Sequence, residues 1–542
     1  MTKVTEPFFL DLDYRGHIEG LTIKDKSTGE PLCHYFGGIP YALPPLGPFR
    51  WRKPRSLPPC YRYGTRASPG IYTTAAGLCP QPGFGKKLNT KAWDEDCLQC
   101  NVWLPAGKAS EKGWPVFFYI HGGFLQFGSP NGMDPSALLS ETDCKCIIVM
   151  PAYRLNVFGF LASRELQQEA GHEAYAGNLG FWDQRLALEW TYKNISYFGG
   201  DASNITVGGY SAGAHSAFHQ LAHELYYPSQ PPIIRHVIMW SNGPGLQPKS
   251  LQEVQNQFDE LLQHLHIPLT LPSSEKLSRL RTLPAKSLIA ATLKMTHHQF
   301  RAVTDNSFVR ASLFTDIDSG AFAARMRDRG IKLMLGECAD EHFVYGAWRP
   351  PVQNTLAGLH TRLLADYPHA AVDALLKHYF PTGTLPPGWK DWRDAFGRVY
   401  ADTQIHTLQR GFVAALARGG VGELVYRYRI EWRAGCVDGM APREWGVTHG
   451  TDLAGWFWGN GIGGGLMKEE KRVVEVAFVG PLGQFARGEE MEWGTKSIRD
   501  VRRLRSDGVV DVWVDERWDE GIQVWEDLKA VGSTAASPAA KL

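Results

Sequence analysis

Five short apolar runs limit what this chain can fold into: Val116-Phe117-Phe118-Tyr119-Ile120, Cys146-Ile147-Ile148-Val149-Met150, Ile205-Thr206-Val207, His236-Val237-Ile238-Met239 and Lys332-Leu333-Met334-Leu335. Successive side chains of a strand point to opposite faces, so a run that is apolar at every position needs cover on both. Such runs, bounded by Gly or Pro, fit the interior strands of a parallel sheet. Helical patterns lie between them, over Leu179–Trp190 and from Ser211 onward. Strands that alternate with helices predict an α/β fold, with a mostly parallel central sheet and helices on both faces.

The 44% hydrophobic content allows a large core, which excludes wholesale disorder. A net charge of +1, with no long run of like charges, argues against nucleic acid as a partner. No stretch approaches the roughly 18 apolar residues of a membrane span. Residues from about 247 to 330 read as a helical insertion. Ser250 and Glu253 form a capping-box pattern ahead of an apolar stripe over 251–265, and a second helical stretch is interrupted at Pro284. The reading is one catalytic domain over 1–528 with a lid or cap at 247–330, followed by a tail at 529–542.

Nine cysteines, an odd number and few for 542 residues, do not suggest a disulfide framework. The N-terminus lacks a long apolar segment of the signal-peptide kind. The expectation is therefore an intracellular protein. The last three residues, Ala540-Lys541-Leu542, are one substitution from Ser-Lys-Leu and raise the expectation of recognition by a peroxisomal import receptor.

The chemistry-bearing signal is Gly209-Tyr210-Ser211-Ala212-Gly213, placed directly after a strand and opening a helix. In that setting a G-x-S-x-G turn pushes the serine hydroxyl out of the sheet. The next amide, at Ala212, sits at a helix N-terminus where it can donate to an oxyanion. A serine nucleophile also needs a base, an acid to orient the base, and further donors. The strand at 116–120 runs into His121-Gly122-Gly123-Phe124, the strand at 332–335 into Gly336-Glu337-Cys338-Ala339-Asp340-Glu341, and a glycine-flanked loop carries His449. Local order leaves Glu337, Asp340 and Glu341 as competing acids. Serine, acid, histidine is the chain order of the α/β-hydrolase fold.

On these motifs the sequence resembles the type B carboxylesterases, the family of carboxylesterases, cholinesterases and fungal lipases. The likeness includes Gly38–Ala42, Phe49-Arg50-Trp51, Glu95–Leu98, Gly177–Gly180 and Phe198–Asp201, is dense over about 36–245, and thins to motifs beyond. It implies Ser211 as nucleophile, His449 as base and then acid, and Glu341 as the carboxylate on His449. It implies an oxyanion hole from the amides of Gly123, Phe124 and Ala212, with Gly122 shaping the turn. It also implies a Cys79–Cys97 disulfide, structural Arg50–Glu95 and Arg154–Asp183 pairs, and a supporting hydroxyl at Ser241. Two departures stand out: Tyr210 replaces the family's usual glutamate before the nucleophile, and Phe124 replaces a third glycine.

The activity expected is hydrolysis of an apolar carboxylic ester, a small-molecule substrate, through an acyl-enzyme and without metal or organic cofactor. Phe124, Phe127 and Trp240 suggest an apolar gorge. Thioesterase, lactonase or acyltransferase chemistry is the alternative, and a non-catalytic binding protein the more distant one. The Cys97, Cys100, Cys144 and Cys146 set superficially resembles a zinc or redox site, but Cys97 and Cys100 precede a strand-like segment rather than opening a helix.

Overall fold

A computed structural model describes residues 2–83, 90–227, 231–459 and 461–532; Ala540, Lys541 and Leu542 lie outside them. Its strands are β1 (Lys3–Asp11), β2 (His17–Asp25), β3 (Pro31–Pro40), β4 (Gln99–Pro105), β5 (Trp114–Ile120), β6 (Ile147–Pro151), β7 (Gly200–Tyr210), β8 (Ile234–Trp240), β9 (Lys332–Cys338), β10 (Val425–Ile430), β11 (Asp500–Leu504) and β12 (Val510–Val514). They follow the order β1-β2-β3-β4-β6-β5-β7-β8-β9-β10-β11-β12 in a 13-stranded sheet, the additional strand being Gly70–Ile71 beside β2. From β6 to β11 every pairing is parallel. The flanks β1–β4 and β12 are antiparallel. The antiparallel N-terminal flank is absent from the sequence reading, because its strands carry polar residues on an exposed face and show no continuous apolar run.

The apolar runs divide between two cores as their period requires. Val116, Phe118, Val149, Val207, Val237 and Leu333 enter one. Their chain neighbours Phe117, Ile148, Ile238 and Met334 enter the other. On the first face pack the helices Leu179–Asn194 and Ala212–Tyr226, through residues such as Leu188, Phe218 and Leu221. On the second lie Phe478, Leu482 and Phe485 from the segment after Lys468.

The insertion forms helices over Leu251–His264, Ser273–Thr282 and Ala285–Thr292, with Pro284 at the break. Ser250 and Glu253 make the expected reciprocal cap, worth ~1 kcal/mol. Val254, Phe258, Leu261 and Leu262 are buried, so the stripe serves as core packing. The last helix, Trp518–Ala530, seats Trp525 against Gly411, where an added Cβ would come within 2.4 Å of the indole. Among the described residues no helix is long and apolar enough to cross a membrane.

Candidate active site

The residues singled out by motif come together at the C-terminal ends of neighbouring parallel strands, where ligands bind in open α/β sheets. β5 delivers the Gly122–Phe124 turn, β7 delivers Ser211, β9 delivers Glu341, and the loop after β10 delivers His449.

Ser211 follows the last residue of β7 and takes φ 58°, ψ −123°, a backbone conformation that L side chains rarely adopt. Strain of this kind costs of order 1–3 kcal/mol and survives only where the surroundings enforce it. Here the flanking glycines do so. A Cβ on Gly213 would stand 1.9 Å from the Ile120 carbonyl oxygen, and one on Gly209 would stand 2.5 Å from the same oxygen. The elbow therefore packs backbone against backbone on β5, and Ser211, 5% exposed, opens onto a cavity.

Glu341 is fully buried. One carboxylate oxygen accepts from His449 Nδ1 at 2.6 Å and the other from the Cys338 amide at 2.8 Å. This fixes the imidazole with Nε2 turned away, and Nε2 is buried without a hydrogen-bond partner among the described residues. The ring sits between Tyr210 and Tyr345, at centroid separations of 4.9 and 4.8 Å. Tyr345 lines the same cavity as Ser211 and is itself buried.

The two competing acids are occupied elsewhere. Glu337 accepts from His406 Nδ1 at 2.7 Å, Arg410 Nη1 at 3.0 Å and Arg429 Nη1 at 2.5 Å. Burial alone would raise its pKa, but the charges of Arg410, His406 and Arg429 outweigh that and hold it well below the usual carboxylate range. Asp340 accepts from the Val447 amide at 2.9 Å and so shapes the His449 loop.

The Gly122–Phe124 turn abuts the elbow: a Cβ on Gly122 would lie 2.7 Å from the Tyr210 carbonyl oxygen and 3.0 Å from Ser211 Cβ. Gly123 has φ 107°, and Phe124 has φ 59°, a conformation that favours glycine. The Gly123 and Phe124 amides donate to no other group among the described residues. Two devices hold the strained phenylalanine. Its ring stacks on Trp348 at 4.9 Å and meets Tyr345 edge-on at 5.7 Å, while its carbonyl accepts from Arg301 Nη1 at 2.5 Å. Arg301 in turn bonds Asp366 and the Tyr400 hydroxyl.

Sequence reasoning treats Tyr210 only as a lost glutamate, whereas the structure gives it work. Its hydroxyl donates to Asp452 Oδ1 at 2.7 Å and accepts from the Gly450 amide at 2.6 Å, tying the elbow to the His449 loop. Asp452 also accepts from Trp456 Nε1 at 3.0 Å. Burial, helped by the Glu341 charge, pushes Asp452 up to about 6. The signal in the sequence is the pairing of an unusual Tyr210 with an acid three residues past His449. Arg301 and Asp366 have no motif and could not be found.

The expectation of an apolar gorge is corrected. Trp240 is fully buried on the second face, stacked on Trp456 at 4.5 Å, because it is the final residue of β8 and points away from the site. The cavity at Ser211 is amphipathic: Phe124, Leu246 and Tyr345 share it with Asn242, Arg301 and Gln404. Gln404 comes from a π-helical turn, Asp402–His406, a distortion often found at functional sites. The free cavity volume is about 50 Å³, room for a few water molecules.

The structural pairs fall where the resemblance implies. Arg50 meets Glu95 through two bonds of 2.8 and 2.5 Å. Arg154 meets the fully buried Asp183 at 2.8 and 2.7 Å. Cys79 and Cys97 are joined as a disulfide. Ser241 Oγ lies 3.9 Å from Cys338 Sγ, beneath the site. Cys100, Cys144 and Cys146 carry free thiols.

Elbow, glutamate–histidine pair and oxyanion turn on a mostly parallel sheet define an α/β-hydrolase. The carboxylesterase family model matches residues 7–498. A carboxylic ester hydrolase of Gibberella moniliformis is 49% identical over 528 residues, covering 96% of each chain. An uncharacterised esterase/lipase of Schizosaccharomyces pombe is 39% identical, covering 97% of this chain and 98% of its own. The crystal structure of Aspergillus niger EstA superposes with a TM-score of 0.75 over 97% of this chain and 99% of that one, at 21% identity. The chain belongs to the carboxylesterase family and is a carboxylic ester hydrolase.

Proposed function

We propose that Ser211, His449 and Glu341 perform this hydrolysis by a two-step route on esters with a small acyl group. His449 Nε2 takes the Ser211 proton as Oγ attacks the ester carbonyl, and Glu341 stabilises the resulting imidazolium. The amides of Gly123, Phe124 and Ala212 receive the oxyanion. His449 then protonates the departing alcohol, and a water activated by the same nitrogen releases the acid. The observation that carries this reading is the buried His449 Nε2, free while Nδ1 is held by Glu341 at 2.6 Å.

The preference for a small acyl group rests on the cavity of about 50 Å³ and on Phe124 occupying a position where the family has glycine. Comparison of kcat/KM on p-nitrophenyl acetate, butyrate and octanoate tests it. Acetate or butyrate should exceed octanoate by at least tenfold, and Phe124→Gly should narrow that gap. A preference for octanoate would overturn the small-acyl assignment. Matched oxygen and thiol esters of one acyl group, both read by release of the common acid, decide between ester and thioester as the working bond.

A further inference from the structure

A second cavity, of about 580 Å³, opens beside the catalytic one without sharing its lining. Its charged residues are Lys294, Arg349 and Arg362, beside the His298 imidazole, and among the described residues no aspartate or glutamate lines it. Arg362 is only 5% exposed. It gives Nη1 to Asp366 at 2.5 Å and Nε to the Arg349 carbonyl at 2.6 Å, and its Nη2 is buried without a partner among the described residues. Asp366 is already shared with Arg301, so one carboxylate serves two guanidinium groups. Neither Lys294 nor Arg349 forms an ion pair among the described residues. Lys294 is exposed, but the half-buried Arg349 without a counter-charge and the buried Arg362 with a shared one are costly, and a bound anion reduces that cost.

The electrostatics agree. Burial, then the Arg362 charge, pull Arg349 down to about 10. Burial, then Arg362 and Arg349, hold His298 down to about 3, so it stays neutral and offers the cations no relief. The remaining lining sets apolar Met295, Pro350 and Pro351 beside polar Thr296, Gln353 and Thr361. A volume in the usual range for small-molecule sites, lined by three cations and by apolar side chains, suits an amphipathic anion rather than a bare ion.

We infer that this cavity is a second ligand site for an organic carboxylate, with the head on Lys294 and Arg349 beside Arg362 and the apolar body along Met295, Pro350 and Pro351. The choice of a carboxylate rests on the hydrolase reading, since ester cleavage releases that class of molecule. The site is wired to the oxyanion turn in two ways. Trp348, next to Arg349, stacks on Phe124, and Arg362 shares Asp366 with Arg301, which holds the Phe124 carbonyl. A ligand here therefore acts on the turn that receives the oxyanion.

Calorimetric titration of the full chain with octanoate, in the absence of any ester, tests the site. Octanoate should bind, and Lys294→Ala and Arg349→Ala should each weaken it about 10–100-fold, the value of a charge-assisted contact. Lys294 is exposed and lies outside the catalytic cavity, so its replacement separates this site from binding at Ser211 and leaves folding intact. Absence of binding, or affinity unchanged in both variants, would overturn the proposal. So would equal affinity for 1-octanol, which would mean an apolar crevice, or for inorganic phosphate, which would mean an unselective cationic patch. Because no turnover is read, failure here leaves the hydrolase assignment standing, and an inactive enzyme would leave the binding result standing.

Discussion

Two glutamate–histidine pairs arise from the same segment of chain and are nearly identical in length: Glu337 with His406 at 2.7 Å, and Glu341 with His449 at 2.6 Å. Both carboxylates are buried. They differ in what else each one meets. Glu337 is enclosed by the guanidinium groups of Arg410 and Arg429, which neutralise its charge and fasten β9 and β10 to the helix Thr407–Arg418. Glu341 receives one backbone amide besides the imidazole, so in the proposed mechanism its charge remains available to the ring that takes up the proton. A short carboxylate–imidazole bond is thus not a catalytic device in itself. It becomes one when the carboxylate has no other cation and the far ring nitrogen faces a nucleophile.

Glu341→Gln should break the catalytic pair most sharply. Glutamine offers one acceptor for two donors, the Cys338 amide and His449 Nδ1, so kcat should fall roughly 10³–10⁴-fold on p-nitrophenyl acetate with the fold retained. Glu337→Gln should do the reverse. Arg410 and Arg429 each lose one of two carboxylate partners, Asp515 and Glu431 remaining, which should cost about 1–3 kcal/mol in denaturant unfolding, while kcat of the folded protein changes by less than about tenfold. Equal kinetic losses in the two variants would erase the distinction.

Tyr210→Phe sharpens it further, because Tyr210 lies on the catalytic side alone. Removal of its bonds to Asp452 and the Gly450 amide should cost about 1–3 kcal/mol, read as a lower kcat with a smaller change in KM. The smallest effect is a pH linkage. Burial, then the Glu341 charge, push Asp452 up to about 6 from the ordinary 3.8, so the folded state holds the extra proton between these values. Wild-type stability from this group therefore falls as pH rises through 6. Measured by urea unfolding, Asp452→Asn should gain on wild type by about 1 kcal/mol between pH 5 and pH 8. A difference independent of pH would remove the buried carboxylate from the account.

The fold's interior and the candidate reacting groups are legible in the sequence for a physical reason. Strands buried on both faces must be apolar throughout, and the elbow must carry glycines where backbone meets backbone at Ile120. Both demands are local and leave marks in consecutive residues. Which of Glu337, Asp340 and Glu341 faces His449 is decided by helices and loops about a hundred residues away, so local reading leaves three acids open and the family likeness alone selects Glu341. Arg301 and Asp366, which brace the strained Phe124, are a long-range ion pair with no periodic signature. Trp240 misleads because proximity to a motif in sequence does not tell which face of the sheet a side chain takes.

The most direct measurement is intact-mass analysis after incubation with a fluorophosphonate, on wild type and on Ser211→Ala. One adduct on wild type, mapped to Ser211 and absent from the variant, is the result expected of an assembled elbow, imidazole and oxyanion turn. A folded wild-type protein that takes no adduct, or a Ser211→Ala protein labelled equally well, would contradict it.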